Sequence, residues 1–188
     1  CEADHDEVEH ALAEADAMLA TFNALLRIAR IEAGARREAF SEVSLRGVIE
    51  DAAELYEALA EDNGQQFELQ IDADPSVLGD RDLLFQAIAN LLDNAIKYTP
   101  INGRIELRLQ GDDTHAHITV TDSGPGIASK DHGRVLERFV RLEDSRSTPG
   151  NGLGLSLVAA VARLHGADIS FADANPGLIV ELRLGPSE

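Results

Sequence analysis

Apolar positions Val8, Leu12, Ala15, Leu19, Phe22, Leu26 and Ala29 recur at spacings of three and four, and no Gly or Pro occurs from residue 4 until Gly34. In a stretch rich in Ala, Glu, Leu and Asp, this predicts one helix over residues 4–33 with an apolar seam for partner helices, because a lone helix would leave the seam in water. Gly34 stops it and residues 35–41 read as a charged linker. Ser44 is placed to cap a helix running to about residue 61. Alternation of Phe67, Leu69 and Ile71 predicts a strand over 66–72, and 75–79 reads as a turn. A helix from Asp80 to about Tyr98 is ended by Thr99-Pro100. Strands over 104–110 and 115–122 follow, then a Gly/Pro-rich loop, a short helix near 129–136, a polar stretch over 143–150 and a helix over 153–165. The chain closes with a hairpin, 168–173 and 178–184, turned at Asn175-Pro176-Gly177.

Strands clustered as meanders with helices free to cover one face predict an α+β two-layer sandwich, preceded by a long coiled-coil-type helix. No strand–glycine loop–helix opening marks a Rossmann or P-loop site. The 188 residues, 44% of them hydrophobic, suffice for one domain with a buried core and an extra element. The formal net charge is −18, from 34 acidic and 16 basic residues, which repels phosphate backbones and argues against nucleic acid as a partner. An anionic small ligand would need locally favourable N–H groups, a few cations and a metal. The single cysteine, Cys1, leaves no internal disulfide, which fits a cytoplasmic compartment. No apolar run approaches the ~20 residues that span a bilayer. The start at Cys1 rather than Met reads as an excised piece.

Four constellations carry candidate chemistry. Asn90, Asn94 and Lys97 form one polar stripe on an otherwise apolar helix. An amide oxygen there can ligate a Mg2+ already neutralised by phosphates, and Lys97 can meet a phosphate. Taken alone, the stripe reads better as a solvated helix face, because such stripes are common. Asp122-Ser123-Gly124-Pro125-Gly126-Ile127 follows a strand. Its glycines admit a flat ligand, and Asp122 can accept from an exocyclic amine. Gly150-Asn151-Gly152-Leu153-Gly154-Leu155 leads into a helix, where orphan N–H groups and the dipole favour phosphate. In Glu137-Arg138-Phe139-Val140-Arg141, Arg141 can contact phosphate and Phe139 can pack under a loop.

In order, Asn90-Leu91-Leu92-Asp93-Asn94-Ala95-Ile96-Lys97-Tyr98, Asp122-x-Gly124-x-Gly126-Ile127, Glu137-Arg138-Phe139-x-Arg141 and Gly152-Leu153-Gly154-Leu155 resemble the N, G1, F and G2 boxes of the histidine kinase catalytic domain. The resemblance covers nearly all of the chain from Ser44, and residues 25–34 resemble the end of the second dimerisation helix of these kinases. It implies the Bergerat ATP-binding fold, with a mostly antiparallel mixed sheet, shared with gyrase, Hsp90 and MutL proteins. Residues 1–36 would be the second helix of the dimerisation hairpin, its first helix missing, and 41–188 the catalytic ATP-binding domain. ATP and Mg2+ are the implied cofactors, with Asn94 as metal ligand and Asn90, Lys97 and Tyr98 around the nucleotide. Asp122 would read adenine in a pocket shaped by Gly124, Gly126 and Ile127. Arg141, with the backbone of Gly150, Gly152, Leu153 and Gly154, would handle the phosphates, and Phe139 and Leu155 would also belong to the nucleotide site. Asn94, Lys97 and Arg141 would be catalytic, and residues 143–151 a mobile lid.

The resemblance further implies transfer of the γ-phosphoryl group to a histidine, relay to a response-regulator receiver domain, and a homodimeric parent. The chain would be a cytoplasmic portion of a parent that a bacterial inner membrane can anchor. The acceptor motif of the family, a His-acid pair soon followed by Arg-Thr-Pro, is absent. His5 and His10 read as solvated helix residues, His115 and His117 as one solvent-facing pair, and His132 and His165 as surface or helix-end residues. A fragment with half the hairpin is expected to self-associate through the N-terminal helix and to be unable to phosphorylate itself. Two other readings share parts of these motifs: an ATP-driven clamp, which would need a water-activating Glu on the Asn helix, and an ATP-binding scaffold without kinase activity.

Overall fold

A computed structural model of the chain describes residues 18–19, 21–32, 40–112, 114–142 and 152–185. Residues 18–19 and 21–32 are helical (α1). The remainder runs β1 (Ser41–Ser44), α2 (Leu45–Asp62), β2 (Gln66–Ile71), β3 (Ser76–Gly79), α3 (Arg81–Tyr98), β4 (Arg104–Gly111), β5 (Ala116–Asp122), two 3-10 turns (Ser129–Asp131 and Arg134–Leu136), α4 (Gly154–Leu164), β6 (Asp168–Asp173) and β7 (Leu178–Leu184).

Five strands form one sheet in the order β2-β4-β5-β7-β6. Only the β2–β4 pair is parallel. Strand alternation sends Ile105, Leu107, Leu109, Ile118, Val120, Val180 and Leu182 to a buried face. α2, α3 and α4 cover that face, and the opposite face carries His117, Arg108, Glu181 and Arg183. This is the expected α+β two-layer sandwich, with a mixed but mostly antiparallel sheet.

Two segments depart from the sequence reading. Residues 41–44, read partly as linker, and 76–79, read as a turn, pair as an antiparallel ribbon that buries Val43 against Val77. Each contributes one buried valine, so neither carries an alternating signal of its own. Ser44 occupies the N-cap position of α2 without capping it; its hydroxyl donates to Asp74 Oδ1 at 3.0 Å. Asp80 caps α3, accepting from the N–H groups of Asp82 and Leu83 at 3.0 and 3.1 Å.

α1 also differs from expectation. Val8, Leu12 and Ala15 of the expected seam lie outside the described residues, and Leu19, Phe22 and Leu26 are exposed. Yet Ile28 and Ile31, off the seam, are 0% and 2% exposed and belong to the core. The helix has two apolar faces, and the second is docked on the domain.

His165 is not a surface residue. Its Nε2 accepts the backbone N–H of Asp80 at 3.0 Å, its Nδ1–H donates to the carbonyl of Val161 at 2.9 Å, and its ring stacks on Phe40 with centroids 4.7 Å apart. These bonds require the neutral ring, and burial pushes its pKa below the ordinary value against the pull of Val161 and Asp80. His117 is the opposite case. Its Nδ1 meets Glu181 at 2.8 Å and its Nε2 meets Asp112 at 3.4 Å, and the Glu181 bond first of all raises its pKa.

The two histidines therefore tilt stability in opposite senses. The His165 contribution is complete above the ordinary histidine pKa and is lost as pH falls through the lowered folded value. The His117 contribution is complete below the ordinary value and is lost as pH rises through the raised one. Urea midpoints measured between about pH 5 and 8 should fall less on the acid side for His165→Asn than for the parent. For His117→Asn they should fall less on the alkaline side.

Candidate functional site

α3 is the central helix of the layer and its sequence divides by face. Leu83, Leu84, Ala87, Ile88, Leu91, Leu92 and Ala95 are buried, while Asn90, Asn94, Lys97 and Tyr98 are half-buried along one side. Asn90 donates Nδ2 to the carbonyl of Gln86 at 2.8 Å, which fixes its amide. A β-carbon at Gly154, the first residue of α4, would stand 3.1 Å from Asn90 Oδ1 and 3.8 Å from Asn94 Nδ2. The start of α4 thus lies directly against the asparagine stripe. α4 is apolar on nearly every side, with Leu157, Val158, Ala160, Val161 and Ala162 all buried, so its placement is set by packing.

At the other end of the stripe, Lys97 Nζ lies 4.9 Å from the Tyr98 ring centroid. The carbonyl of Tyr98 is 2.7 Å from where a β-carbon on Gly124 would be, so the loop after β5 rests on the end of α3. Asp122, 9% exposed, accepts the N–H of Gly124 at 2.8 Å. Burial raises its carboxyl pKa, and the N–H groups of Gly124 and Leu178 oppose that rise. Gly126 adopts φ +73 and faces the carbonyl of Gly177, while Ile127 packs on the core and accepts from His132 Nε2 at 2.9 Å.

A third group closes the arrangement. Phe139 adopts φ +63, is 57% exposed, and donates its N–H to the carbonyl of Gly152 at 3.0 Å. Gly152, at φ +68, lies against Phe139, Val140 and Arg141, with a β-carbon position 3.2 Å from Arg141 Cγ. The structure therefore brings together Asn90, Asn94 and Gly154; Tyr98, Asp122, Gly124 and Gly126; and Phe139, Arg141 and Gly152. Leu153 is 2% exposed, so only its backbone can face a ligand, and Leu155 packs against the core. Gly150 and the expected lid, 143–151, lie outside the described residues.

Three participants were not singled out from the sequence. Gly177, read only as a turn residue, is so close to the end of β5 that a β-carbon would fall 1.7 Å from the carbonyl of Asp122. Leu178 supplies the second N–H to Asp122. Tyr56 of α2 donates its hydroxyl to Asp93 Oδ1 at 2.9 Å, and burial with that contact raises the phenol pKa. Nothing local announces any of these, since each partner is distant in sequence.

Among the described residues no three His, Cys, Asp or Glu side chains gather to hold a metal. The stripe instead offers neutral amides, which fit a Mg2+ that arrives with its charge already balanced by phosphates. Among the described residues no helix is long and apolar enough to cross a membrane.

The family described as histidine kinase-, DNA gyrase B- and HSP90-like ATPase matches residues 79–187. The signal transduction histidine-protein kinase/phosphatase MprB of Mycolicibacterium smegmatis is 45% identical over 102 residues, 54% of this chain and 21% of that protein. The probable sensor protein PcoS of Escherichia coli is 32% identical over 162 residues, 85% of this chain and 34% of that one. The chain thus spans about a fifth to a third of the length of these relatives. Among solved structures, a mycobacterial sensor histidine kinase MprB superposes with TM-score 0.68 at 35% identity, covering 79% of this chain and 99% of that one. Histidine kinase ThkA in complex with response regulator protein TrrA superposes with TM-score 0.68 at 25% identity, covering 79% and 42%.

The tight seat of the loop after β5 can be tested by itself. Gly124→Ala puts a methyl group against the Tyr98 carbonyl and Asp122 Oδ1. It should cost roughly 1–3 kcal/mol of stability by overpacking, read from chemical denaturation. An unchanged midpoint would contradict this packing.

Proposed function

Because the chain belongs to the histidine kinase-, DNA gyrase B- and HSP90-like ATPase family, as an ATP-binding catalytic domain of the sensor histidine kinase kind, we propose that its α3–α4 cleft takes Mg2+-ATP and passes the γ-phosphoryl group to a histidine. The observation that carries this is the convergence of the asparagine stripe, the start of α4 and buried Asp122 along one side of α3. Asp122, kept acceptor-ready by two backbone N–H groups, would take the exocyclic amine of adenine. Tyr98 and Ile127 would border the base, with Gly124 and Gly126 admitting it.

The backbone N–H groups of the first turn of α4 would meet the phosphates, helped by Lys97 and Arg141. Asn94 would hold Mg2+, with Asn90 beside it. When bound, that ion would neutralise charge developing on the phosphate oxygens. The chain itself would position the triphosphate so that the terminal P–O bond breaks toward ADP as an imidazole nitrogen bonds to phosphorus. His117 and His165 are engaged in structural bonds, His132 is held by Ile127 and His115 by Thr114. The acceptor histidine would therefore come from another segment, and the phosphoryl group would go on to a response-regulator aspartate.

Asp93 is the carboxylate nearest the stripe in sequence, and it is engaged with Tyr56 of α2. It is therefore not poised to activate water, which supports phosphotransfer over a hydrolysing clamp. We assign residues 1–36 to a dimerisation hairpin and 41–188 to the catalytic domain. Exposed Met18, Leu19, Phe22 and Leu26 support self-association through α1 in a homodimeric parent. A cytoplasmic position in an anchored parent follows from the same reading.

Titration with a fluorescent ATP analogue is the direct test. Asp122→Asn should weaken binding about ten-fold or more, the scale of a lost charge-assisted hydrogen bond. Asn94→Ala should remove the gain in affinity that Mg2+ gives over EDTA; undiminished Mg2+-dependent binding would refute its assignment. Transfer from ATP to a separately supplied histidine-bearing hairpin should follow, and tight binding without transfer would favour a scaffold. Sedimentation at tens of micromolar (the middle of the affinity scale) should show a dimer or larger species that Phe22→Glu dissociates. A monomeric parent would rule out pairing through α1.

A further inference from the structure

Glu32 sits at the last described turn of α1 and is bound to two arginines far away in sequence. One carboxylate oxygen takes Arg138, next to Phe139, and the other takes Arg163 of the last turn of α4 at 3.3 Å. The Arg138 bond first of all holds the Glu32 carboxyl below the usual range. Ile28 and Ile31, buried one turn and one residue earlier, anchor the same end of the helix in the core. The contact is thus built from apolar docking plus a three-membered ion pair.

The consequence depends on what Arg138 adjoins. Phe139 is held in a left-handed conformation and clasps Gly152 through its N–H, and Gly154 two residues on faces Asn90 and Asn94. From this geometry we infer that Glu32 is a positioning residue for the phosphate end of the nucleotide site. Glu32 holds Arg138, Arg138 fixes the Phe139–Gly152 clasp, and the clasp sets the first turn of α4 against the stripe. Arg163 ties the other end of α4 to the same carboxylate, so Glu32 spans both ends of that helix. Any movement that pulls the end of α1 away would loosen the phosphate site without touching a residue that contacts ATP. This rests on the cleft taking ATP as proposed above.

Three proteins separate the possibilities: the parent chain, Glu32→Gln and Arg163→Gln. In Glu32→Gln, affinity for the fluorescent ATP analogue should fall about three- to five-fold, the size an exposed ion-pair network can transmit. Arg163→Gln removes one arm at the far end of α4, so its thermal midpoint should fall while nucleotide affinity stays at the parent value. Without nucleotide, hydrogen exchange at the Phe139 amide should speed up in Glu32→Gln and not in Arg163→Gln. If Glu32→Gln binds as tightly as a parent that does bind, or its Phe139 amide exchanges at the parent rate, the positioning role is overturned. A parent that binds no nucleotide defeats the function proposed above, and the exchange comparison still decides whether Glu32 holds the clasp.

Discussion

The site depends on α3 carrying a polar stripe through a helix that is otherwise core. Ile88, Leu91 and Leu92 are packed into the core on one side, so the helix cannot rotate to hide Asn90 and Asn94 without exposing them. What keeps the stripe from being filled by a neighbour is Gly154. Any side chain at that position would press on Asn90 Oδ1, 3.1 Å from its β-carbon. The same use of glycine recurs where Gly124 rests on Tyr98 and Gly177 on Asp122. At these three glycines the approach is too close to leave room for a side chain.

Close approach of backbone bears on an electrostatic difficulty. A chain of net charge −18 is a poor host for a triphosphate. The long-range field is screened in physiological salt over about 8 Å, while N–H groups at the first turn of α4 would act on a bound phosphate at contact range. Lys97 on the stripe and Arg141 beside Gly152 would add positive charge to the proposed site. Asp122 adds a further anion, but it is nine-tenths buried and already paired with two N–H groups. Its charge is partly answered within the fold, and it lies at the Gly124 end of the stripe rather than beside Gly154.

How much of this could be read from residues alone divides by sequence distance. The hairpin of β6 and β7 was legible to the residue because alternation and an Asn-Pro-Gly turn are local signals. α3 was legible from its cap at Asp80 to its stop at Thr99-Pro100. The four ordered motifs named the family, yet they could not say that Gly177 would close on Asp122 or that Tyr56 would engage Asp93. β1 and β3 went unread because each offers one buried valine and becomes a strand only when it meets the other. His165 looked like a helix end, which it is, and nothing nearby in sequence signalled that Asp80 would use its ring nitrogen.

α1 is the clearest case of a pattern with two meanings. Its spacing of three and four was read as one seam, and Leu19, Phe22 and Leu26 do form an exposed row. Ile28 and Ile31 lie off that row, so the helix carries apolar residues on two sides. One side meets the domain itself, which takes Ile28, Ile31 and Glu32. The exposed row lies on the same helix as the Glu32 contact, so any partner of that row would share the helix with it. A helix so placed transmits displacement rather than merely linking parts, since its end cannot move without taking Arg138 or Arg163 with it or breaking from them.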